Sequence, residues 1–139
     1  MGLVWQYKDG EVSTKSPPQS VYGFVYELTL KDGKKYISKK AFWGTTKKNL
    51  TLKEIEALPN KRLKKWKYVT KESKWRSYTS SSKIFGSREV VEKRILMVAK
   101  SKRHLTYLET KYMFQHNVLE VDEYLNDNIS GKFFRDNLI

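Results

Sequence analysis

A few residues remain as candidates for chemistry once the common catalytic patterns are excluded. The chain has no cysteine, so thiolate nucleophiles, thiolate zinc sites and disulfides do not arise. Its two histidines, His104 and His116, stand twelve residues apart without an HExxH or HxH pattern, which speaks against a histidine metal site. No GxxxxGK[ST] or GxGxxG phosphate loop and no GxSxG elbow is present. What remains is Tyr26 and Tyr36 on either side of Asp32-Gly33, the pair Lys39-Lys40, and Glu109, the one carboxylate between Glu92 and Glu120. Together these types could handle a phosphate. Each also has a plainer reading. Tyrosines pack well across strands, and Glu109 can pair with a surface lysine or bond Thr106 within its own helix.

The elements that must position these residues follow from pattern. β-branched and aromatic residues over 21–30 predict a strand, and Lys31-Asp32-Gly33-Lys34 a tight turn, since Asp-Gly tolerates positive φ. A second strand follows over 35–42. Thr51-Leu52-Lys53-Glu54 has capping-box spacing and predicts a short helix ending near Leu58, ahead of Pro59. The pattern over 61–76, "KRLKKWKYVTKESKWR", fits no single element. "WRSYTSSSKIF" reads as strand or loop leading to a helix start, with 87–93 helical and 94–101 a buried strand. Residues 102–116 predict a helix with Leu105, Leu108, Tyr112 and Gln115 on one face and Asn117 as its C-cap. Turn residues recur at Asn126-Asp127-Asn128 and Ser130-Gly131. Residues 1–20, with "STKSPPQS", read as a peripheral arm and 21–139 as a single domain.

Charge narrows the partner. The chain carries 28 Lys and Arg against 15 Asp and Glu, a net +13. Residues 31–76 hold 16 basic and 4 acidic side chains, whereas 104–139 hold 3 and 6. Such asymmetry favours a polyanion, above all nucleic acid, although a lysine-rich solvated face has the same composition. Trp66, Tyr68 and Trp75 interleave with Lys64, Lys65, Lys67, Lys71, Lys74 and Arg76, a pattern suited to gripping nucleic acid or to covering a sheet edge. No apolar run is long enough to span a bilayer, and the first residues lack a signal-peptide layout, so a cytoplasmic location without membrane partners is expected.

The hairpin resembles the signature of the GIY-YIG nuclease superfamily. Gly23-Phe24-Val25-Tyr26 stands for its first element and Tyr36-Ile37-Ser38 for its second. "GKKYISKK", "WRSYTSSSK", "LTYLETK" and "NDNISGKF" are similar to small phage-encoded endonucleases of the free-standing homing type, over roughly 21–135. The resemblance implies an α+β fold with a small three-stranded antiparallel sheet flanked by helices. It also implies hydrolysis of phosphodiester bonds in double-stranded DNA with Mg²⁺ or Mn²⁺, in the cytoplasm of a phage host. By position it makes Tyr26 and Tyr36 the motif tyrosines, Glu109 the metal ligand and Asn128 the C-terminal asparagine.

A lone carboxylate suits Mg²⁺, which keeps several waters. A nearby metal and lysines would favour a tyrosine phenolate, making Tyr26 or Tyr36 a proton acceptor. Lys39 or Lys40 would contact phosphate. Two positions depart from the family pattern. Ser38 stands where the motif has glycine, which would narrow the site. No arginine follows Tyr36 until Arg62, leaving Lys39, Lys40 or Arg76 to replace the family arginine. These departures motivate an alternative, a catalytically weakened or inactive relative that binds nucleic acid in the same groove. Charge alone would also suit an RNA-binding or ribosome-associated protein.

Overall fold

A computed structural model describes residues 3–8, 10–11, 17, 20–60, 62–63, 65–79, 85–86 and 88–138. The central hairpin forms as its sequence predicts. Strands β3 (Gly23–Leu30) and β4 (Lys35–Ala41) pair antiparallel in unbroken register from Gly23↔Ala41 to Thr29↔Lys35. The turn closes with Gly33 at φ 88°, a conformation that glycine adopts without strain, and Asp32 Oδ1 accepts from the Lys34 N–H at 3.1 Å.

On the other side of β3 runs β7 (Val90–Ala99), also antiparallel. These three strands are the expected antiparallel sheet. Two more extend it. β1 (Trp5–Tyr7) lies parallel to β7, and β2 (Gly10–Glu11) pairs with β1, giving the order β2-β1-β7-β3-β4.

Two expectations fail here. Residues 5–7 are part of the sheet rather than a peripheral arm, because Trp5 is 2% exposed and donates its indole N–H to the Trp75 carbonyl at 2.7 Å. Most of 12–19, including the bulk of "STKSPPQS", lies outside the described residues. Residues 90–93, expected to be helical, begin β7. The cause is two register shifts, between Val25 and Tyr26 and between Thr29 and Leu30, where β7 bulges against β3. A bulge inserts an extra residue and inverts the alternation. The period of two is therefore broken within the very strand it should announce.

The sheet has a different layer on each face. Val25 and Ile37 face helix α2 (Lys102–Gln115), joining Leu105, Leu108 and Met113 in one core. Phe24, Tyr26, Leu28 and Leu30 face the other way, into an aromatic cluster with Trp5, Phe42, Trp75 and Phe85. The split follows from strand alternation. Gly23 sets the seating of α2, for a Cβ there would lie 2.5 Å from the Lys40 carbonyl oxygen and 2.9 Å from Leu105 Cδ2.

α2 starts where expected. Ser101 Oγ accepts from the His104 N–H, and His104 Nδ1 accepts from the Lys100 N–H, both at 3.1 Å. His104 is thus occupied as a cap. His116 is the C-cap residue, and Asn117 follows it at φ 52°. Asn117 therefore stands one position beyond the cap predicted for it, in the left-handed conformation asparagine tolerates.

Beyond β4 the chain passes through Phe42 into β5 (Trp43–Asn49), which pairs with β6 (Trp66–Glu72) as a separate two-stranded ribbon. The short helix α1 (Leu52–Glu56) lies in the connection, with both halves of its capping box formed. Neither ribbon strand was legible. Thr45–Asn49 are all exposed, so no apolar alternation marks them. Near the C-terminus, β8 (Asn128–Ile129) and β9 (Phe133–Phe134) form a small hairpin around Ser130-Gly131, so Asn128 lies in a strand and not in a turn. No helix among the described residues is long and apolar enough to cross a membrane.

Candidate active site

Glu109 sits on the sheet-facing side of α2, 8% exposed. Its two oxygens meet consecutive residues of β4. Ser38 Oγ donates to Oε2 at 3.3 Å, and Lys39 Nζ lies 3.6 Å from Oε1. Neighbouring strand residues point to opposite faces. Both reach Glu109 because β4 is the last strand of the sheet. Lys39 Nζ also donates to Thr106 Oγ1 at 3.1 Å, one helical turn before Glu109. Burial pushes the Glu109 carboxyl above the usual carboxylate range, while the Lys39 charge and the Ser38 hydroxyl pull it back.

The outer edge of β4 is closed only part of the way. Lys35 exchanges backbone hydrogen bonds with the Glu123 carbonyl and the Leu125 N–H, each at 2.8 Å. Asn126, 2% exposed, then takes over: Oδ1 accepts from the Ile37 N–H at 3.1 Å and Nδ2 donates to the Ile37 carbonyl at 2.8 Å. Arg135 holds this covering segment by donating to the carbonyls of Val118, Val121, Tyr124 and Asn126. Past Ile37, Ser38 and Lys39 turn to α2 instead.

Beside them opens a cleft of about 260 Å³ whose lining includes Tyr22, Lys39, Lys40, Tyr78, Lys102 and Thr106. Lys40 Nζ stands 4.2 Å above the Tyr78 ring, and Tyr78 meets Tyr26 edge-on at 6.2 Å.

The tyrosines belong to the other face of the sheet. Tyr26 is fully buried in the aromatic cluster, and Tyr36, half-buried, meets Phe85 edge-on at 5.0 Å. Lys40 and Tyr78 connect that face to the cleft. The structure therefore gathers Ser38, Lys39 and Glu109, places Lys40 beside Lys39 in the cleft, and sets Tyr26 behind Tyr78. Asn128 is turned to its own hairpin, with Nδ2 donating to Asp127 Oδ1 at 2.7 Å and Oδ1 accepting from the Gly131 N–H at 3.1 Å. The asparagine that reaches the motif strand is Asn126, which sequence reasoning took for a turn residue. Thr106, Lys102 and Tyr78 were also missed, since nothing in their spacing ties them to Lys39 and Lys40.

Arg76 is drawn away from the cleft by Glu72, 2.9 Å from its Nη1, and by the Trp75 ring, 4.6 Å below its guanidinium. Trp75 itself is core, 2% exposed. Lys65, Lys71 and Lys74 are exposed, Lys67 pairs with Glu54 at 2.6 Å, and Lys64 lies outside the described residues. That pairing, with the Thr51 backbone, lowers the Glu54 carboxyl to about 2.

Among the described residues, no group of three or more His, Cys, Asp or Glu could enclose a metal ion. The donor set at Glu109 is one carboxylate with hydroxyls nearby, all oxygen. It fits a hard cation that retains most of its water, as Mg²⁺ does, and not a thiolate or imidazole metal. A cation there would also offset the effect of burial on the carboxyl by stabilising its ionised form.

Residues 5–129 match the family described as "Putative endonuclease segE, GIY-YIG domain". Neither comparison with curated proteins nor comparison with solved structures gives a match. The match spans most of the chain and takes in both halves of the hairpin, Glu109 and the Asn126 clasp, and the chain belongs to this GIY-YIG endonuclease family.

Proposed function

We propose that the protein is a divalent-metal-dependent endonuclease acting on double-stranded DNA, of the phage-encoded type. The observation that carries this reading is Glu109, buried on α2, bonded by Ser38 and paired with Lys39, which itself lines a cleft with Lys40 and Lys102. Glu109 would hold the cation, with Ser38 orienting its carboxylate. A divalent ion bound there supplies Lewis acidity toward a phosphoryl oxygen. Lys39, Lys40 and Lys102 hold the DNA phosphates in the cleft and offset charge that builds on them, a task the family assigns to arginine. Tyr36 or Tyr26, the motif tyrosines, would accept a proton once a nearby cation favours the phenolate. Lys40, stacked on Tyr78 next to Tyr26, is a cation on the cleft side that would favour a phenolate. Exposed Lys65, Lys71 and Lys74 extend the basic surface along which the duplex runs.

Incubation with supercoiled plasmid tests the reading. Mg²⁺ should yield nicked or linear DNA, EDTA should suppress it, and Glu109→Ala should stop cleavage while DNA binding survives. Cutting by Glu109→Ala at the wild-type rate would overturn the site. Binding without any cutting, in Mg²⁺ or Mn²⁺, would make the protein a non-catalytic relative.

A further inference from the structure

We infer that the β5–β6 ribbon is a DNA-reading arm that inserts one face into the major groove. This rests on the DNA reading above and extends it from charge to sequence recognition. Cross-strand partners share a face. Thr45 pairs with Thr70, Lys47 with Tyr68 and Asn49 with Trp66, so these six side chains form one face. All but half-buried Trp66 are exposed, Tyr68 to 66%. The face is ordered from within. The two threonine hydroxyls lie 3.3 Å apart, Lys47 Nζ stands 4.0 Å over the Trp66 ring, and Trp66 meets Tyr68 edge-on at 5.0 Å.

The opposite face carries Thr46, Lys48, Lys67 and Lys71, which are exposed as well. Lys67 pairs there with Glu54 of α1. What singles out the threonine–asparagine face is its chemistry. Its residues are ones that read base edges: asparagine meets adenine N6 and N7, lysine meets guanine, and threonine meets either or a thymine methyl. Two strands lie about 4.8 Å apart, so with side chains the ribbon suits a groove about 12 Å wide. Lysines of the opposite face can reach round the ribbon to the phosphates along the groove walls.

The base of the arm is fixed to the site. Ser73 donates its N–H to the Phe42 carbonyl at 2.7 Å and its Oγ to the Ala41 carbonyl at 2.6 Å, and Trp43 Nε1 donates to the Val21 carbonyl at 3.0 Å. Phe42 packs edge-on against Trp75 at 5.0 Å. β5 thus continues the chain that carries Ser38, Lys39 and Lys40, so sequence read by the arm sets which phosphate enters the cleft.

The test is selection of bound DNA from a randomised duplex pool by the whole protein in EDTA, followed by titration of the selected duplex. A second copy of that duplex would carry 7-deazapurines, which remove the major-groove N7 acceptors and leave the phosphates intact. The pool should converge on a motif. Deazapurines should weaken wild-type binding about tenfold, and Asn49→Ala, on an exposed strand position, should erase part of that difference without changing the salt dependence. Failure to converge, indifference to deazapurines, an unchanged penalty in Asn49→Ala, or tighter binding of the corresponding single strand would each overturn the arm. Plasmid cutting that persists alongside any of these would leave the nuclease reading standing. Convergence without cutting would do the reverse.

Discussion

The Asn126 amide clasps Ile37 at both of its backbone groups, at 3.1 and 2.8 Å, standing in for a neighbouring strand at the middle residue of Tyr36-Ile37-Ser38. Both partners are buried. Asn126→Ala would strand an N–H and a carbonyl, each costing about 1–3 kcal/mol. The expected loss is about 2–6 kcal/mol in denaturant unfolding, with cleavage reduced further than the folded fraction explains, because Ser38 follows directly in the chain. Asn128→Ala should cost well under half as much, since it caps only an exposed hairpin. Equal losses would remove the clasp from its positioning role.

Glu109 combines function with a stability penalty. Its carboxyl is raised by burial, so the folded state holds that proton more tightly than the unfolded chain does. Stability of the metal-free protein should therefore fall as pH rises from the ordinary carboxylate range through the raised value, and level off above it. Glu109→Gln removes the titration. In EDTA at neutral pH it should be more stable than wild type by about 1 kcal/mol, while the two converge at low pH. Added Mg²⁺ should stabilise wild type and leave the variant unmoved. A variant less stable at neutral pH would show that the ion pair with Lys39 outweighs burial.

The same carboxyl must be ionised to hold a cation, so cleavage should fail on acidification at a higher pH than a solvated glutamate would allow. Lys39 and Ser38 both lower its proton affinity. Lys39→Met and Ser38→Ala should each move the acid limb of the pH–rate profile upward, Lys39→Met by more. Ser38 was expected to crowd the site, with Ser38→Gly raising activity. Its hydroxyl instead faces Glu109, so Ser38→Gly should resemble Ser38→Ala. A faster Ser38→Gly enzyme with an unmoved limb would restore the crowding reading.

The hairpin and both helices were legible because they rest on local signals: an Asp-Gly turn, a capping box and apolar residues recurring on one helical face. What stayed hidden depends on chain-distant pairing. β5 is exposed from Thr45 to Asn49 and β6 on four of its seven residues, so nothing in either declares a strand until it meets the other. The bulges in β7 disguised its start. Asn126 looked like turn chemistry because its partner, Ile37, is 89 residues away. Trp75 could be core or surface by sequence, and became core only when Phe24 and Phe42 closed around it.

Tyr26 and Tyr36 differ in setting, and the difference is testable. Phenylalanine at either position removes a hydroxyl and little packing. If the hydroxyls move a proton, cleavage should fall on the order of 10²-fold with DNA binding unchanged. Tyr36→Phe should act without altering stability, because Tyr36 is half-exposed. Unchanged single-turnover rates in both variants would return the pair to packing.

The last prediction concerns where the duplex lies. Each phosphate contact adds about −0.9 to the slope of log K against log salt. Lys65, Lys71 and Lys74 are exposed within the basic block, whereas Lys67 already serves Glu54 and is a poor probe of DNA. Reversing Lys65, Lys71 and Lys74 to glutamate should flatten the slope by up to about 2.7 if all three touch phosphate. Single reversals should each account for about a third, with sequence preference little changed. Reversing Lys111 and Lys132, both exposed but set in the acidic C-terminal segment, should alter the slope far less. A titration across salt measures both sets under one condition. Equal flattening would mean that the basic block is only a solvated surface and that the duplex follows some other path to the cleft.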